Sequence, residues 1–208
     1  MNRTRLFAAA LLGTALACLT CPASADFMYY HGTGLAAILK VKAPGTLLDN
    51  QAVNAGQMLV SYGGKDYAAY CLDINHWVSS CEVTPLPISS LHNGYAVAYL
   101  FETYAGSVAT GTDAAALQAA LWEVLFETDP AFSVTGGYFG IDGNAPVMAA
   151  ANSLLATLPP SYTPTTDLVV LHCEDYQDVL VPEPASLAVF TALGVPLLRR
   201  RRRGLRAR

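Results

Sequence analysis

Between Arg5 and Arg199 the chain has no arginine, and from residue 26 to residue 182 its only basic side chains besides histidine are Lys40, Lys42 and Lys65. Fifteen acidic residues share that stretch, so its formal charge is −12. A surface that acidic repels phosphate backbones and anionic lipid, which excludes a nucleic-acid role. Metal-ligand spacing is also missing. From residue 26 to residue 182 no pair of residues falls in an H-x3-H or C-x2-C pattern, and His31, His76, His92 and His172 are scattered. Neither a metal nor a cofactor is expected. Long apolar runs are missing too. The two present, Leu6–Leu19 and Ala185–Leu198, are 14 residues each, short of the roughly 20 that a helix needs to span hydrocarbon. No internal repeat is visible. The hydrophobic fraction of 53% is inflated by these two ends.

The ends themselves are patterned. Arg3 and Arg5 precede the first apolar run, and Ala23-Ser24-Ala25 follows it as a small-x-small cleavage site. That is the layout of a signal peptide over residues 1–25, with the mature chain beginning at Asp26. At the other end Val181-Pro182-Glu183-Pro184 precedes the second apolar run, and five arginines, Arg199 to Arg203, follow it. The arginines hold their side of the membrane and leave the preceding domain outside. The segment from 181 to 208 resembles the PEP-CTERM sorting signal of Gram-negative bacteria, with Pro182, Glu183 and Pro184 as its motif. The resemblance implies processing by signal peptidase and an exosortase, transient insertion of the tail in the inner membrane, and delivery to the cell surface or extracellular matrix. The alternative is a plain short membrane anchor.

Residues 26–180 then form one extracellular domain, with chain enough for a core. Leu35–Val41 has strand length and is broken by Pro44-Gly45. Gln57–Tyr62 and Asp66–Ile74 read as a hairpin around Gly63-Gly64-Lys65. His76–Pro87, with two prolines, reads as a looser stretch. Three helices follow. The first is capped by Ser89 or Ser90 and runs to about Ala105. The second is capped by Thr112 or Asp113 and runs from Ala114 to about Glu127. The third is capped by Asn144 and runs from about Pro146 to Leu158. Ser161–Thr166 reads as an exposed linker, and Asp167–His172 as a closing strand. Strands segregated from helices predict a single α+β domain, a β-sheet or barrel-like part beside a helical part of about three helices.

Two patterns carry chemistry. Tyr70-Cys71-Leu72-Asp73 ends the hairpin strand, and Gln118 and Trp122 lie at i and i+4 on the second helix, beside the Leu117/Leu121/Leu125 stripe. A primary amide on a buried face must find partners for two donors and an acceptor. A hydrogen bond to a neighbouring strand is one way. The other is covalent: a cysteine held against a glutamine amide can attack its carbonyl, expel ammonia and leave an internal thioester, provided water is kept out. Trp122 would be the shield. Glu123 and Glu127 read as a solvated i, i+4 pair.

These residues resemble the Cys-Gln thioester domains of bacterial surface proteins, over roughly Gln57 to Glu127. Tyr70-Cys71-Leu72-Asp73 matches that family's cysteine segment. Gln118, Ala120 and Trp122 match its glutamine helix, with Leu117 where the family has threonine. The resemblance implies a Cys71–Gln118 thioester supported by Tyr70, Asp73, His76 and Trp122, with Asp73 or His76 assisting proton transfer. It also bears on the cysteines. With Cys18 and Cys21 in the signal peptide, Cys71, Cys81 and Cys173 remain. If Cys71 is tied to Gln118, Cys81 and Cys173 can pair; the rival is a Cys71–Cys81 bridge that consumes the nucleophile.

The expected function is covalent capture, in adhesion, of an amine or hydroxyl on a surface protein or polysaccharide. That is one-shot chemistry, and no enzyme is expected. A second expectation is a non-covalent structural protein of an exopolysaccharide or biofilm matrix with the thioester lost. A third and distant one is a cysteine hydrolase built on Cys71, Asp73 and His76. The last suffers because catalytic Cys and His usually converge from distant segments.

Overall fold

One strand, β1 (Asp26–Lys42), organises the sheet by pairing with three others along its 17 residues. The computed structural model describes residues 26–128 and 131–182. The segment expected to be a signal peptide, and Glu183, Pro184 and the rest of the expected sorting tail, lie outside the described residues. β1 is followed by β2 (Ala52–Tyr62), β3 (Lys65–Cys71), β4 (Cys81–Pro87), α1 (Gly94–Tyr104), α2 (Gly111–Phe126), β5 (Gly140–Asp142), α3 (Ala145–Leu155), β6 (Leu168–His172) and β7 (Val179–Pro182). The architecture is α+β, an antiparallel seven-stranded sheet with three helices. The strand order is β2-β3-β7-β6-β4-β1-β5, and β2 also pairs with β1, so six strands close into a ring with β5 added outside it. Closure leaves few free edges.

Local chemistry accounts for most boundaries. Gly63 and Gly64 take φ of 57° and 74°, as a two-residue hairpin turn between β2 and β3 requires. The strand Leu35–Val41 is the second half of a much longer β1, whose register shifts between Tyr30 and Gly32 and again between Thr33 and Ala36. Such bulges break the alternation that a period-of-two reading follows. The stretch His76–Pro87 is not wholly loose: its second half is β4. β1 leaves β4 after Val83, and Pro85 and Pro87 pair with β6 alone, on a half-strand with one free edge, where a missing N–H is tolerated.

The helices begin elsewhere than Ser89, Ser90 or Thr112. Ile88–Ser90 is a separate single turn, and Ser90 donates its hydroxyl back to the Pro87 carbonyl at 2.7 Å instead of capping forward. α1 starts after Asn93, whose left-handed φ of 52° suits asparagine. For α2 the cap is Thr110, in a reciprocal box with Asp113, and the helix begins at Gly111. A Cβ at Gly111 would sit 2.3 Å from the Ala36 carbonyl oxygen, so glycine lets the helix start against β1. Asn144 caps α3 as expected, accepting from the Val147 amide.

α2 runs through the middle of the protein, with every residue from Ala114 to Val124 buried. It packs on β1 and β2 on one side and on α1 and α3 on the other. A helix that is apolar nearly all round belongs inside a core, and its alanines allow close approach. Gln118 and Glu123 are the two polar side chains in that buried run. The Ser161–Thr166 linker is exposed in part but fastened. Glu102 of α1 accepts hydrogen bonds from the Tyr162 hydroxyl and from the amides and hydroxyls of Thr165 and Thr166.

Candidate functional site

Cys71 ends β3 at a place where the sheet divides. β2 pairs with β3 only as far as Met58↔Ala69, while β7 pairs on the other side at Tyr70↔Leu180 and Cys71↔Val179. The Leu72 amide donates to the Asp178 carbonyl at 2.9 Å. By the alternation of an antiparallel ladder, the backbone groups of Cys71 then point toward the side that β2 has left. Gln118 fills that vacancy. Its Oε1 accepts from the Cys71 amide at 2.9 Å, and its Nε2 donates to the Cys71 carbonyl at 2.7 Å. The side-chain amide thus takes the part of a strand's peptide group, and two buried backbone groups and one buried side chain are satisfied together.

The structure therefore brings Cys71 and Gln118 together from elements 47 residues apart. The sulfur has its own cradle: the thiol donates to the Asp73 carbonyl at 2.7 Å, and the Asp73 amide points back to the sulfur at 3.3 Å. Burial pushes the Cys71 thiol well up, although the Asp73 backbone and the Trp122 indole oppose the shift. The indole N–H is itself buried and meets no acceptor at hydrogen-bonding geometry. At neutral pH the thiol keeps its proton.

The supporting residues divide. Trp122 lies beside Gln118 and Cys71 in the same cleft and packs on Phe139, ring centroids 6.2 Å apart. Tyr70 is fully buried on the other face of β3, edge-on to Phe101, and burial drives its hydroxyl up to about 12. It supports by packing. Asp73 meets the sulfur through its backbone only; its carboxylate accepts from the Asn75 amide at 2.7 Å and faces His76 Nδ1 at 2.5 Å. That His76–Asp73 pair is half open to solvent on the histidine side. The sulfur is held by the Asp73 backbone carbonyl and amide, which is not the arrangement of a cysteine–histidine nucleophile.

Cys81 and Cys173 form a disulfide, with Cα atoms 6.5 Å apart, and Cys71 is left as a free buried thiol. The bridge joins the start of β4 to the residue after β6. It closes a loop of 92 residues, which stabilises by about 4–5 kcal/mol in the chain-entropy account.

Three features carry no signal in the sequence. Gln177 is buried and donates to the Asp73 carbonyl at 3.1 Å, which braces the loop that cradles the sulfur. β7 takes in Val181 and Pro182, so the strand beside Cys71 includes the first two residues of the segment read as a sorting signal. Glu123 and Glu127 are not a solvated pair: they are 0% and 3% exposed. Glu123 accepts from the Ser133 amide at 2.6 Å, and Glu127 from the amides of Thr128, Tyr138 and Phe139. They hold the loop that places Phe139 against Trp122. Like Gln118, they would be found by asking what a polar residue does on a helix with no exposed face.

No family model matches the chain, and no curated protein sequence does. Among solved structures, the chain is similar to the N-terminal thioester domain of a surface protein from Clostridium perfringens, a cysteine-to-alanine mutant. The TM-score is 0.39 and the identity 12%, over 61% of this chain and 88% of that one. At that score the likeness carries no weight, and the site is read from its own geometry. Among the described residues no helix is long and apolar enough to cross a membrane, and no group of acidic, histidine or cysteine side chains is placed to hold a metal.

Proposed function

We propose that this is an exported surface or matrix protein whose domain forms an internal Cys71–Gln118 thioester and uses it to attach covalently to a nucleophile on a partner. The observation that carries the reading is the double hydrogen bond between the Gln118 amide and the Cys71 backbone. The Cys71 amide donates to the oxygen on which negative charge develops when the sulfur attacks, as an oxyanion hole does. The Cys71 carbonyl accepts from the nitrogen that leaves. The thiol proton follows that nitrogen out as ammonia, and the acyl carbon is left bonded to sulfur. An amine or hydroxyl then replaces the sulfur, and the thiol is restored. Each molecule reacts once, so the protein is a stoichiometric coupler and no enzyme. Export by signal peptidase and sorting by an exosortase, at the surface of a Gram-negative cell, complete the proposal. The patterned ends of the sequence support it.

A second reading has an observation of its own. The thiol already donates to Asp73 and the amide is already doubly bonded, an arrangement that is stable unreacted. A non-covalent matrix protein would keep it. Intact mass separates the two. A thioester makes the purified domain lighter than its disulfide-bonded sequence by one ammonia. Methylamine then adds at Gln118 and exposes one thiol at Cys71. Full mass with an unmodified Gln118 overturns the covalent reading.

A further inference from the structure

Whatever opens a Cys71–Gln118 thioester must come through the cleft of about 230 Å³ that these residues line with Trp122. Its lining has no aspartate, glutamate, lysine, arginine or histidine, in a domain whose formal charge is −12. What it has instead is an aliphatic floor that includes Leu48, Val53, Met58 and Val78, with aromatic and amide side chains around it. Trp77 is 55% exposed, and Tyr30 is half-buried near it. Asn54 is exposed, and Gln177 uses its nitrogen on the Asp73 carbonyl, which leaves its side-chain oxygen as an acceptor.

Three classes of partner can be weighed against that lining. An ammonium entering it sheds water and meets no carboxylate, at a cost of several kcal/mol. A cation–π contact with Trp77 returns only about 0.5–2 kcal/mol. An acidic sugar meets the field of the whole domain. An uncharged sugar brings a C–H face that stacks on an indole and hydroxyls that both give to and take from carboxamides.

Resting on the thioester reading, we infer that the cleft receives an uncharged polysaccharide and that one of its hydroxyls opens the thioester. The hydroxyl oxygen bonds to the Gln118 acyl carbon, the carbon–sulfur bond breaks, and the hydroxyl proton ends on the Cys71 sulfur. The product is a sugar ester of the Gln118 acyl group and a free thiol, with no other reactant.

The test uses the purified secreted domain, first shown to add methylamine. It is then incubated with a neutral glucan oligosaccharide, an oligouronate, glycerol at equal hydroxyl concentration, and a lysine peptide, and followed by intact mass. The expected result is a saturable glucan adduct that hydroxylamine removes, formed about tenfold or more faster than the glycerol or oligouronate adduct. In Trp77→Ala, the thioester still forms, read as the one-ammonia mass deficit, while the ratio of the glucan rate to the methylamine rate falls by about tenfold, the loss of one stacking contact. Glucan no faster than glycerol, a lysine adduct that outpaces it, or an unaffected Trp77→Ala overturns the sugar inference and leaves the thioester standing. Failure of methylamine addition overturns both.

Discussion

The middle of α2 and its C-terminal end solve one problem with different groups. At Gln118 a neutral amide enters a buried site and finds both a donor and an acceptor on the backbone of Cys71. At Glu123 and Glu127, one turn and more along the same helix, carboxylates enter a buried site and find backbone amides. The amide matches its surroundings in number: an oxygen takes a proton and a nitrogen gives one. Glu123 does not match, because its Oε2 is buried with no partner. Burial therefore raises the Glu123 carboxyl to about 7, the Ser133 amide opposes the shift, and nearby Glu127 adds to it. The Gln118 site is electrically quiet, and the loop-holding end of the helix titrates. Uncharged hydrogen bonds suit a site that must exclude water without paying for ionisation, whereas a carboxylate can gather several amides at once.

Removing the gathering point should cost most. Glu127→Ala strands the amides of Thr128, Tyr138 and Phe139, and Phe139 is fully buried. At about 1–3 kcal/mol for each buried donor left unmet, with water reaching the outer two, the loss should be about 3–4 kcal/mol in denaturant unfolding. A loss below about 1 kcal/mol would mean the loop is held by other contacts. Gln118→Ala comes next. It strands the Cys71 amide and carbonyl, but the adjoining cleft admits water, so about 2–3 kcal/mol is expected, together with complete loss of methylamine addition. Retained addition would place the acyl group elsewhere.

Glu123→Gln turns the titrating end into a quiet one. A carboxyl raised in the folded state stabilises the fold fully below its unfolded value of 4.5 and loses that contribution as pH rises through about 7. Native protein should therefore lose stability between about pH 4.5 and 7 by the slope of one proton, and the variant should not. Urea midpoints across that range are the measurement. Identical pH slopes in the two proteins would show that Glu123 is ionised at little cost.

The sequence made the Cys71–Gln118 pair legible because it is local chemistry on regular elements. Cys71 ends a strand whose turn, Gly63-Gly64, is written in the glycines, and Gln118 and Trp122 share a helix face by spacing alone. The α+β class followed from the segregation of strands and helices. What was hidden depends on distance or on absence. β4 is a strand because Pro85 and Pro87 have one edge free, which no local pattern states. Ser90 looks like a cap, but its hydroxyl turns back to Pro87. Glu123 and Glu127 look like a surface pair because acidic residues four apart usually are one, and only a helix buried on every side makes them otherwise. Gln177 and β7 frame the Cys71 loop from residues more than a hundred positions on.

The smallest expected effect has the opposite sign and sharpens the rule. Glu102 also holds a loop, but at the protein's edge and with a full set of donors. Desolvation pushes its carboxyl upward; the hydroxyls of Thr165 and Tyr162 and the amides of Thr166 and Thr165 outweigh that and bring it down to about 2. A depressed carboxyl stabilises the fold above its unfolded value of 4.5 and loses that contribution as pH falls toward about 2. Two carboxylates on neighbouring helices thus tilt the stability curve in opposite directions, one by lacking partners and the other by having many. Glu102→Gln should leave stability at about pH 2 and below almost unchanged and lower it modestly at pH 7, because the carboxamide replaces one acceptor oxygen with a donor that faces other donors. The readout is the pH dependence of the urea midpoint between pH 2 and 5, with protease cleavage after Tyr162 as a local probe. Should the variant and the native protein share the same acid limb, the loop's hydrogen bonds to Glu102 are not what holds Ser161–Thr166 to α1.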